Sequence, residues 1–105
     1  MPISATTDRD RLQKGFHALA DDLRMRVLEL LRDRELCVCD LCEQLDVAQS
    51  KLSFHLKALK AAHLIHARQE GRWIYYSVNQ PQLIALEQYL ANYRRHSRLP
   101  VRECC

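Results

Sequence analysis

The stretch Asp40-Leu-Cys-Glu-Gln-Leu45, Asp46-Val-Ala-Gln49, Ser50-Lys-Leu-Ser-Phe-His-Leu-Lys-Ala-Leu-Lys-Ala-Ala62 decides how this chain folds. Leu41 and Leu45 recur at i and i+4, the spacing that puts two side chains on one face of a short helix over 40–45. Asp46 to Gln49 supplies a turn, and Ser50 to Ala62 reads as a second helix. On a wheel of about 100° per residue, Leu52, Leu56 and Leu59 form one narrow inward stripe with His55 at its edge. Ser50, Phe54, Lys57 and Ala61 fall opposite, flanked by Lys51 and Ser53. From Val47 to Gln69 there is no carboxylate, whereas a merely solvated helix mixes both signs. The outward face is short, polar and basic.

Downstream the period changes. Leu64–Gln69 and Arg72–Val78 are rich in β-branched and aromatic residues and flank Glu70-Gly71, as in a β-hairpin with glycine at its tight turn. Ile74, Tyr76 and Val78 share one face of the second run; Trp73, Tyr75 and Ser77 share the other. Pro81 suits the first turn of a last helix with the stripe Leu83, Leu86, Leu90 and Tyr93. Upstream, Arg9–Ala20 carries Leu12, Phe16, Leu19 and Ala20 at helical spacing. Asp21-Asp22 marks the start of another helix, with Leu23, Val27, Leu30 and Leu31 inward, running to about Asp33. The order helix, helix, helix, turn, helix, hairpin, helix predicts a winged helix-turn-helix: α+β, mostly α, with about five helices and a hairpin wing. We expect a flexible start over 1–8, the domain over 9–95 and a flexible cysteine-containing tail over 96–105.

The chain has 105 residues, 48% of them hydrophobic and 28% charged. That is enough for one core without staples, and it excludes disorder and collagen-like repeats. No apolar run approaches a membrane span, and Met1 to Lys14 has no apolar block like that of a signal peptide, so a cytoplasmic location is expected. The formal net charge of +3 is modest, but it is polarised. Residues 1–46 carry seven Lys/Arg against ten Asp/Glu, while 47–79 carry Lys51, Lys57, Lys60, Arg68 and Arg72 against Glu70 alone. An acidic first half and a basic second half suit an anion-binding face. Gln49 and Ser50 are placed to reach base edges of duplex DNA, and Lys51, Ser53 and Lys57 its phosphates. Phe54 is suited to a thymine methyl, His55 lies at the margin of this face, and Arg68, Gly71 and Arg72 at the hairpin tip can follow a neighbouring backbone. His17, His63, His66 and His96 have no convergent carboxylates. With no nucleophile elbow, phosphate loop or paired carboxylates, neither an enzyme nor a small organic substrate is expected.

The five cysteines fall in two clusters, Cys37, Cys39 and Cys42, then Cys104 and Cys105. Clustering favours ligand chemistry over disulfide stapling. In a regular helix Cys37 and Cys39 lie on opposite faces, whereas Cys39 and Cys42 lie within about 60° of each other. In extended chain Cys37 and Cys39 point the same way. Three thiolates therefore converge only if the chain around 37–40 is unwound, so ion binding competes with the start of the short helix. Three sulfurs without a fourth ligand suit a soft three-coordinate ion better than structural zinc. The bland alternative is that they are small buried hydrophobes.

Glu35-Leu-Cys-Val-Cys-Asp-Leu-Cys42 resembles the inducer site of the ArsR/SmtB repressors, specifically the arsenic-responsive ones. Gln49–Leu59 resembles that family's DNA-reading helix, and Glu70-Gly-Arg-Trp-Ile-Tyr-Tyr76 its wing. The resemblance covers roughly residues 12–95. It implies a homodimeric repressor that binds double-stranded operator DNA and leaves it on binding As(III) or Sb(III). Cys37 and Cys39 would be the principal ligands and Cys42 the third. The pair Cys104 and Cys105 is a second soft-ion site, a contributor across the dimer, or incidental. Pairing of the first and last helices through Leu12, Phe16, Leu83, Leu86, Leu90 and Tyr93 is expected to make the dimer. His63 stands where the family usually has glycine, and Phe54 where it often has a polar residue. Two rival readings are a thiol-redox repressor of the same fold, oxidised at Cys37 and Cys39, and a cytosolic soft-metal-binding protein whose basic face is incidental.

Overall fold

A computed structural model describes residues 2–95, with side chains from Asp8 onward. The described elements are α1 (Pro2–Leu19), α2 (Asp22–Leu30), β1 (Leu36–Cys37), α3 (Val38–Leu45), α4 (Gln49–Ala61), β2 (Ile65–Glu70), β3 (Trp73–Val78) and α5 (Gln80–Arg95). The winged helix-turn-helix is present in the expected order, with two differences. Helix α1 begins at Pro2 rather than near Arg9. The hairpin gains a third strand, because the two residues of β1 add to it in the order β1-β3-β2, all antiparallel. The expected tail, 96–105, lies outside the described residues.

Local chemistry explains each boundary. Asp21 is extended and its carboxylate accepts from the Arg24 N–H at 3.1 Å, capping α2. Helix α3 ends at Asp46, in the left-handed region at φ 56°, which Asp tolerates better than most residues. The Asp46 and Val47 N–H groups both return to the Cys42 carbonyl. Helix α4 is capped by Ala62 and followed by His63 at φ 62°. There the His63 N–H bonds Lys60 O and the Leu64 N–H bonds Leu59 O, both at 3.0 Å. This is the Schellman arrangement, with Leu59 and Leu64 as its buried apolar pair. His63 thus adopts the backbone that glycine would supply. Glu70 pairs with Trp73 across the two-residue loop Gly71-Arg72, where Gly71 has φ +63°.

The core is a leucine cluster shared by all the helices. Val27, Leu31, Leu41, Leu52, Leu59 and Leu64 are its most deeply buried large side chains. Helix α5 packs on α1 within the same chain. The helices meet at Gly15, where a Cβ would lie 3.0 Å from both Leu86 Cδ2 and Gln82 Nε2. Buried Gln82 donates to Arg11 O at 3.1 Å and to Ala62 O at 3.3 Å, joining α1, the end of α4 and α5. Leu86 is a core residue of its own chain, which corrects its expected place in a dimer interface. Leu12, Phe16 and Leu83 are half-buried, and only Leu90 (55% exposed) and Tyr93 (65%) project from the predicted stripe.

Candidate nucleic-acid interface and thiol cluster

Helix α4 enters from an extended Ala48 with no side-chain cap. Gln49, Ser50, Lys51, Ser53, Phe54 and Lys57 are all exposed, and Phe54 is 65% so. The structure brings these six together on one accessible face of the helix. His55 is not among them. It is only 9% exposed, its Nδ1 accepts from Arg24 Nε at 3.0 Å, and the Asp21 carboxylate lies 3.8 Å away. The residue therefore faces α2, because the inward arc of α4 is wide enough to take it alongside Leu52 and Leu59. It joins α4 to α2, whereas the sequence placed it at the margin of the exposed face. Asp21 is held below the usual carboxylate range, chiefly by the Arg24 N–H and further by the Arg24 charge.

At the wing, Gly71 and Arg72 are exposed at the tip. Arg68 is engaged elsewhere. Its Nε and Nη2 donate to the two Glu35 carboxylate oxygens at 3.1 and 2.8 Å, and Nη1 lies 3.5 Å from Glu70. The guanidinium also sits 5.0 Å from the centre of the Tyr75 ring. This fork, first through its hydrogen bonds and then through charge, holds the Glu35 carboxyl below its ordinary range. Arg68, expected along a neighbouring DNA backbone, is thus held by Glu35, Glu70 and Tyr75 in this structure. Glu35 pairs with Arg68, and Arg24 and Asp21 lie against His55, pairings that the sequence reading did not give. Only their charge complementarity to Arg68 and His55 could have pointed to them.

The three cysteines occupy the entry to α3. Cys37 is buried, extended at the N-cap position and paired with Tyr75 in the sheet. Its thiol donates to Asp40 Oδ2 at 3.2 Å. Cys39 is exposed and Cys42 half-buried. Burial, and then the neighbouring Cys39, push the Cys42 thiol up. All three are free thiols, and among the described residues no three His, Cys, Asp or Glu groups are gathered to hold a metal ion. Cys104 and Cys105 lie outside the described residues. Helix α3 packs directly on α4, so the thiol segment and the exposed face are one helix apart. No described helix is long and apolar enough to cross a membrane.

The family described as "Bacterial regulatory protein, arsR family" matches residues 21–67, from the α2 cap into β2. An arsenical resistance operon repressor of Bacillus subtilis is 43% identical over 77 residues, covering 72% of this chain and 73% of that protein. A transcriptional repressor SmtB homolog of Synechocystis is 37% identical over 95 residues, covering 90% of this chain and 72% of that protein. The crystal structure of an ArsR family transcriptional regulator superposes with a TM-score of 0.79 at 25% identity, covering 89% of this chain and 96% of that one. A homodimeric winged helix-turn-helix DNA-binding domain from Mycobacterium bovis, a possible ArsR-family regulator, gives 0.70 at 27% identity over 93% and 94% of the two chains. Reading helix, wing and the relatives' likeness along most of the chain agree: it belongs to the ArsR family and is a transcriptional repressor with a winged helix-turn-helix DNA-binding domain.

Proposed function

We propose that the protein is a cytoplasmic homodimeric repressor that occupies a two-fold operator and leaves it when Cys37, Cys39 and Cys42 take up As(III) or Sb(III). The observation that carries this reading is the placement of three thiols within six residues at the start of α3, the helix packed on the reading helix. Soft thiolates fit a thiophilic three-coordinate ion. In the present conformation Cys37 is on the strand side, tied to Asp40, and Cys39 points to solvent. Bringing the three sulfurs together requires residues 38–40 to leave the helix. Loss of that turn disturbs the seat of α3 against α4, so ligand and DNA favour different arrangements of the same residues. Similarity to arsenical resistance operon repressors supports the inducer, and the homodimeric Mycobacterium bovis domain supports self-association.

In this reading Gln49 and Ser50 meet base edges, Lys51, Ser53 and Lys57 meet phosphates, and Phe54 packs on a thymine methyl. Gly71 and Arg72 lie along the flanking backbone. Leu12, Phe16, Leu83, Leu90 and Tyr93 contribute to the dimer contact. Half-sites about one helical turn apart, or a multiple of it, follow from the two-fold axis. The test is a mobility shift on the gene's own upstream DNA with and without arsenite. Wild type should bind and be released by arsenite, while Cys37→Ser should bind and stay. Arsenite that leaves the wild-type complex intact, or releases both proteins equally, overturns the proposal.

A further inference from the structure

Glu35 lies two positions before Cys37, and the forked ion pair it makes with Arg68 of β2 has hydrogen bonds of 3.1 and 2.8 Å. The next two residues form β1 and pair with β3, Leu36 with Tyr76 and Cys37 with Tyr75. Tyr75 thus serves twice, as strand partner of Cys37 and as the ring over which Arg68 lies at 5.0 Å. Beyond this anchorage the wing is open to solvent, with Arg68 through Ile74 all exposed. The hairpin's direction is therefore set largely at its root. Arg68 faces Glu35 and Glu70 together, so its charge is more than matched locally and it offers little to a phosphate.

We infer that Glu35 is a positioning residue for the wing, and that the Glu35–Arg68 fork with β1 carries events at Cys37 to Arg72 at the tip. This rests on the proposed reading of Cys37 as a ligand residue and adds a second route from the thiol segment to DNA, beside α3. A shift of Cys37 moves a residue that is a strand partner of the wing and two positions from its ionic tether. The wing and the reading helix then respond to one event.

The test compares wild type, Glu35→Gln and the swapped pair Glu35→Arg with Arg68→Glu by fluorescence anisotropy on the upstream DNA, with and without arsenite. Glu35→Gln removes a negative charge near DNA, which by electrostatics alone strengthens binding. We expect the opposite, an affinity without arsenite lower by about three- to fivefold, the scale of a surface ion pair. The arsenite-induced loss of affinity should also become smaller, while ultraviolet thiolate-to-arsenic absorption shows the same arsenite uptake as wild type. The swapped pair should recover most of both effects. Glu35→Gln binding as tightly as wild type or more so overturns the inference, because the fork would then merely restrain Arg68. If wild type ignores arsenite, the inducer reading and the coupling fail together. The arsenite-free comparison of the three proteins still decides whether Glu35 positions the wing.

Discussion

His63→Gly should stabilise the protein, and the backbone shows by how much. His63 sits at φ 62°, where an L side chain costs about 1–2 kcal/mol relative to glycine. Its side chain is exposed, and the hydrogen bonds of the helix end run through the main chain: His63 N–H to Lys60 O, Leu64 N–H to Leu59 O, and Asn79 Nδ2 to His63 O at 2.7 Å. The substitution keeps all of them. Against the relieved strain stands the greater freedom of glycine in the unfolded chain, about 0.4–1 kcal/mol. The difference leaves a gain of about 0–1.6 kcal/mol, centred on ~0.8, which is roughly 3–6 °C in Tm for a domain of this size. Urea and thermal unfolding at equal protein concentration measure it, since association with a partner copy shifts both. His63→Ala, which keeps the strain, should stay within about 0.5 kcal/mol of wild type. His63→Val should lose more than about 1 kcal/mol, because a branched Cβ fits the left-handed region poorly. A His63→Gly protein less stable than wild type would refute the argument and assign the imidazole a contact of its own.

Three further predictions concern the DNA face and acid. Lys57→Ala should weaken specific and random DNA alike and reduce the salt slope of binding by about one; Gln49→Ala should lower discrimination among sequences by about 1–3 kcal/mol, and anisotropy titrations in a salt series would expose a reversed pattern. Asp21 has a folded pKa below its ordinary 3.8, so its contribution is complete above that value and is lost as pH falls through the lower folded one. The stability gap between wild type and Asp21→Ala should therefore persist from neutrality to about 3.8 and close only below it in urea titrations.

The architecture was legible because each element carries its own period or punctuation. Leucines at three- and four-residue spacing, Asp21 before α2 and Gly71 between two β-rich runs all act locally. What stayed hidden depends on residues far apart in sequence. Two residues are too few to display a strand's alternation, so β1 could not be read before its partner Tyr75–Tyr76 was known. His55 lies at the margin of the α4 wheel, and only Arg24, 31 positions away, decides which way it turns. Arg68 looked like a free cation because Glu35 is 33 positions upstream. Leu86 looked available to a partner because nothing in the α5 stripe reveals that Gly15 opens a berth for it. The thiol cluster was visible as chemistry but not as geometry. Its start in extended chain at Cys37 emerges only with the sheet.

The missing side chain at Gly15 also determines where this molecule can bend. With no Cβ at Gly15, the first and last helices nest closely, with the Leu86 and Gln82 side chains in the space that a Cβ would take. Gln82 latches them through Arg11 O and ties both to the end of α4 through Ala62 O. The release proposed above would then hinge at the short segments on either side of α3 rather than between these two helices.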